Sequence, residues 1–126
     1  MSSLETPLHK VEGLGASHSG TGHFWRERLT SVALIPLSLW FAYAVLGLID
    51  TNEVAVVSFL ARPWNAILMG LFVVISFYHL SLGMQQIFDD YVHTPGMKLF
   101  LRLLVTVIWV IASLVSVFAL VRIAAL

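Results

Sequence analysis

The side chains in this chain best suited to chemistry stand between Phe77 and Tyr91, in the run Phe77-Tyr78-His79-Leu80-Ser81-Leu82-Gly83-Met84-Gln85-Gln86-Ile87-Phe88-Asp89-Asp90-Tyr91. Each helical residue advances by about 100°. Gly83, Gln86 and Asp90 follow His79 at i+4, i+7 and i+11, so they fall within about 40° of it on one helix face. Ser76 extends that stripe. The run lies in strongly apolar sequence. A polar stripe in a lipid-spanning helix is costly, so it must face protein, a cofactor or water.

Two readings of His79 are open from the residues alone. It can be a core histidine bonded to a neighbouring helix. It can also be an axial haem ligand, with one imidazole nitrogen on iron and the other in a hydrogen bond. Gly83, one turn on, would let a flat macrocycle or another helix come close. The expected spans hold no second histidine, so a six-coordinate b-type haem needs its other ligand from another chain. Three helices are also too few to enclose a haem. Both points imply a hydrophobic partner.

Asp90 and Tyr91 close the same apolar stretch. They can be an ordinary helix end with an interfacial tyrosine. They can also serve a quinone, the Tyr91 hydroxyl donating to a carbonyl and Asp90 orienting it or relaying protons. Asp89 lies off the stripe and is expected to face solvent. Arg28 precedes the first span beside Thr30 and Ser31, where its guanidinium can snorkel or hold a haem propionate. For Arg26, anchoring at the membrane surface is the expected role. His9, His18 and His23 lack compact metal-ligand spacing, and His93 sits beside a Thr-Pro-Gly turn.

The elements that position these groups follow from composition. The chain has 126 residues, 59% hydrophobic and 11% charged, with a mean hydropathy of +0.90. A soluble domain this small has too much surface to be so apolar, so a membrane protein is expected. Zero net charge points away from nucleic acid and acidic substrates. The absence of cysteine excludes disulfides, thiolate metal sites and iron–sulfur ligation within this chain.

Residues 1–24 read as a polar arm, unlike a cleaved secretory signal, and residues 25–126 as one all-α membrane domain. Three apolar stretches, 29–49, 64–88 and 99–126, each provide the roughly 20 residues needed to cross about 30 Å of hydrocarbon. Pro36 is tolerable inside the first. Lys10, Arg26, Arg28, Lys98 and Arg102 outweigh Arg62 and Arg122. This places the N-terminus in the cytoplasm and the C-terminus in the periplasm. Trp25 and Trp64 stand at span starts, where interfacial anchors belong.

The run His79-x3-Gly83-Met84-x-Gln86-x3-Asp90-Tyr91-Val92 resembles the signature of the D-type membrane anchor of succinate dehydrogenase, respiratory complex II. The upstream Arg28-x-Thr30-Ser31 and the three-span layout are similar too, and the resemblance covers roughly residues 23–126. It implies that His79 is one axial ligand of haem b, the other coming from a C-type cytochrome b556 anchor. It implies that Tyr91 hydrogen-bonds ubiquinone, that Asp90 supports this site, and that Arg28 lies near the haem propionates or the quinone-site edge. The implied partners are that C-type anchor, an iron–sulfur subunit, a flavoprotein subunit that oxidises succinate, and membrane lipid. The acidic doublet Asp89-Asp90 and the Ser-, Gly- and His-rich arm depart from the pattern.

Two alternatives stand beside this one. One is the anchor of a fumarate reductase or another quinone-linked cytochrome b. The other is a small non-redox assembly or transport protein with His79 and Asp90 in a proton path. An arm without an Arg-rich amphipathic pattern favours a bacterial inner membrane over a mitochondrial one.

Overall fold

The computed structural model describes residues 6–7 and 18–126; residues 1–5 and 8–17, with His9 and Lys10, lie outside the described part. Four helices follow in order: α1 (His18–Leu48), α2 (Glu53–Ala61), α3 (Pro63–Tyr91) and α4 (Pro95–Ala124). No strand occurs among the described residues. In hydrocarbon a backbone must bond to itself, and a helix does so within one segment. Pro63 and Pro95 open α3 and α4, where a missing N–H costs nothing and the fixed φ suits the first turn.

Among the described residues, α1, α3 and α4 are the three helices long and apolar enough to cross a membrane, as expected. They run further than the expected spans. At 1.5 Å per residue they measure about 46, 44 and 45 Å, against about 30 Å of hydrocarbon, so their ends project into the interfaces. Hydropathy marks where lipid begins, whereas hydrogen bonding marks where the helix begins. For this reason α1 starts at His18, inside the stretch read as an arm. The connection 50–63 also holds a helix, α2. Its nine residues are too few for a span. The side chain of its cap, Asn52, accepts from the Ala55 N–H at 3.0 Å.

α3 is the central element, packed on α1 on one side and on α4 on the other, while α2 touches both α3 and α4. Stacked rings join α1 to α3 (Phe41 and Phe72, 4.5 Å between centroids), and Tyr78 meets Trp109 at 5.2 Å between α3 and α4. Asn65 donates to the Phe59 carbonyl at 2.9 Å and ties α3 to α2. The buried side chains are small or aliphatic: Thr30, Ala44, Ser81, Leu82 and Ser113. Small residues let helix backbones approach, which is how helices associate when the surroundings are as apolar as they are. Ser81 keeps its hydroxyl satisfied within α3 by donating to the Tyr78 carbonyl at 2.6 Å. The outer faces carry exposed large apolar side chains along every span, a surface suited to lipid or to other hydrophobic chains.

Candidate functional site

His79 stands half-buried in α3, twelve residues before Tyr91 and so about 18 Å from it along the helix. Its Nδ1 is 2.8 Å from Oγ1 of Thr30 on α1, a contact spanning 49 positions of sequence. Thr30 is buried. Its Oγ1 also lies 2.7 Å from the Arg26 carbonyl oxygen and 3.0 Å from that of Glu27, so the preceding turn of α1 holds it in place. Among the described residues, no hydrogen bond reaches the other ring nitrogen, Nε2, from within the chain.

One turn along the stripe, a Cβ placed on Gly83 would meet nothing within 4 Å. The surface of α3 at Gly83 is therefore open. Gln86 and Asp90, further along, are exposed. The stripe therefore passes from a histidine anchored on a neighbouring helix to an end with no cover from this chain.

That end is Asp90 and Tyr91. Tyr91 is the last residue of α3 and is 78% exposed. Among the described residues neither side chain has a hydrogen-bond or ion-pair partner. Asp89 differs from both. It is surface-exposed as expected, yet its carboxylate pairs with Arg102 on α4, and Lys98 Nζ lies 3.5 Å from its carbonyl oxygen. The acidic doublet thus divides: Asp89 clamps the α3–α4 turn, and Asp90 has no such partner among the described residues.

Arg28 is not brought to His79. Two residues before Thr30, it lies about 200° round α1 from the face that meets α3, and its guanidinium sits 4.8 Å over the Phe24 ring. Arg26, four residues before Thr30 and about 40° from it, shares the His79-facing side of α1; its Nε donates to the Gly22 carbonyl at 3.2 Å. Sequence reasoning named Thr30 only beside Arg28 and gave it no role of its own, because it weighed the charges of Arg26 and Arg28 just before that hydroxyl. The available signal was a small polar pair, Thr30-Ser31, between Leu29 and the apolar run from Val32, with His79 as the ionisable residue deep in the second span.

An imidazole with one nitrogen engaged, the other without a hydrogen bond among the described residues, and open space at Gly83 one turn on is a donor set that fits haem iron. A phenol and a carboxylate at the membrane boundary suit hydrogen bonding and proton delivery to a small polar head group.

Residues 2–119 match the family model of the succinate dehydrogenase/fumarate reductase transmembrane subunit. Curated relatives agree. The chain is 34% identical over 86 residues to the succinate dehydrogenase hydrophobic membrane anchor subunit of Paracoccus denitrificans, covering 68% of this chain and 67% of that one. It is 30% identical over 112 residues to the subunit of the same name from Rickettsia bellii, covering 86% and 90%. With the succinate dehydrogenase membrane anchor subunit of Reclinomonas americana it shares 31% identity over 93 residues, covering 71% and 78%.

Proposed function

The chain belongs to the succinate dehydrogenase/fumarate reductase transmembrane subunit family, and from that premise we propose that it supplies one axial ligand of a haem b and part of a ubiquinone-reduction site. It is a multi-pass protein of the bacterial inner membrane and serves as the membrane anchor of a succinate dehydrogenase. The observation that carries the finer reading is His79, held through Nδ1 by Thr30 with Nε2 left for a ligand outside the chain.

His79 would hold the iron through Nε2, together with a histidine of a C-type cytochrome b556 anchor. Haem, when bound, supplies a one-electron carrier where the two anchors meet. Gly83 leaves the helix surface clear beside it. Arg28 would reach a propionate or the quinone only from the flank of α1 turned away from His79, so its part depends on how the partner anchor packs there. At the cytoplasmic end of α3 the Tyr91 hydroxyl donates to a quinone carbonyl oxygen, which gains negative charge as electrons arrive. Asp90 orients that hydroxyl and passes protons from the aqueous side. Two electrons from the iron–sulfur subunit and two protons make one quinol. Succinate oxidation belongs to the flavoprotein subunit, so the chain alone is not an enzyme.

The test is purification of the tagged chain from its native membrane in mild detergent, followed by assays in both directions. We expect flavoprotein and iron–sulfur subunits to co-purify and succinate to reduce ubiquinone faster than quinol reduces fumarate. A preparation without redox subunits would contradict the anchor role; faster fumarate reduction would reverse its direction.

A further inference from the structure

A hydroxyl carries one proton and accepts through two lone pairs, whereas a backbone carbonyl only accepts. Thr30 Oγ1 stands 2.7 Å from one carbonyl oxygen and 3.0 Å from another, both in its own helix. Its proton is directed at them. What remains toward His79 Nδ1, at 2.8 Å, is a lone pair, so the imidazole must be the donor. A neutral ring that carries its proton on Nδ1 has a bare lone pair on Nε2. The opposite arrangement would turn the hydroxyl from the carbonyls and leave an Nε2–H with no acceptor among the described residues.

We infer that Thr30 is the positioning residue of the haem ligand: it fixes the His79 tautomer and ring plane and sets the basicity of Nε2. This inference rests on the reading of His79 as a haem ligand. A hydrogen bond accepted from Nδ1–H makes the ring a stronger donor to iron and favours the ferric state. The acceptor comes from α1 and the ligand from α3, so the contact also ties the packing of these two helices to the redox poise of the site.

The experiment uses the complete complex carrying Thr30→Val, which keeps the shape and removes the hydroxyl, beside Thr30→Ser, which keeps the hydroxyl. Haem content, midpoint potential by optical redox titration and the low-temperature EPR signal of the oxidised complex are read together. For Thr30→Val we expect a raised potential, with the ferrous-to-ferric ratio at a fixed poise shifting by roughly tenfold, or about 59 mV for one electron. The EPR signal should shift as well. Thr30→Ser should return both to the wild-type values. Haem lost from the Val variant but kept by the Ser variant would support the same role. An unchanged potential and EPR signal in a haem-replete Val variant would overturn it, as would haem loss in both variants. A wild-type complex without haem would instead remove the His79 reading itself, which separates the two failures.

Discussion

The two ends of the polar stripe on α3 are built in opposite ways. At His79 the chain completes its own support: a buried threonine from another helix meets the ring, and α1 holds that threonine through two carbonyls. About 18 Å away, Tyr91 is 78% exposed, and neither it nor Asp90 has a side-chain hydrogen-bond or ion-pair partner among the described residues. A group that must hold an exact orientation in lipid is preorganised within the subunit, because an unpaired imidazole nitrogen there is costly. A group that serves a mobile substrate at the membrane boundary can wait in water for its other walls. The His79 end is thus supported from within this chain, whereas the Tyr91 end stands exposed.

Substitutions can break this contrast. Short of removing the haem, the largest effect is expected from Tyr91→Phe. Steady-state quinone reduction with succinate should fall by about 100-fold, the scale of a lost transition-state hydrogen-bond donor, while the haem spectrum is retained. Normal quinone kinetics would take Tyr91 out of the site. Asp90→Asn removes a supporting group and should slow the same assay about tenfold, equivalent to about 1.4 kcal/mol. Asp89→Asn is the matched control on the neighbouring carboxylate. Its pair with Arg102 is exposed on both sides, so thermal unfolding should report a loss of at most about 1 kcal/mol, with wild-type quinone kinetics. Equal defects at Asp89 and Asp90 would erase the distinction between clamp and proton relay.

Most of the architecture was legible in the residues. Three apolar stretches of sufficient length give three spans, and the period of His79, Gly83, Gln86 and Asp90 gives one face. What escaped was set by geometry between elements. Hydropathy has no access to α2, whose nine residues, seven of them apolar, resemble a connection that merely clings to the membrane. Nor does it reach the first turns of α1, which are polar and helical together. The Thr30–His79 contact depends on how α1 and α3 align, and spacing within either helix is silent about that. Arg28 is similar: its charge was legible, but only the helix geometry shows that two steps from Thr30 turn it to the other side of α1. The Asp89–Arg102 pair was within reach of the sequence, since a three-residue turn brings an acidic helix end beside a basic helix start.

The most direct measurement is the reduced-minus-oxidised optical spectrum of the intact complex, wild type beside His79→Ala. A b-type signal in the wild type that is lost or shifted in the variant is the predicted result. A signal unchanged in the variant, or an active wild-type complex without haem, would contradict the assignment of His79 as the ligand.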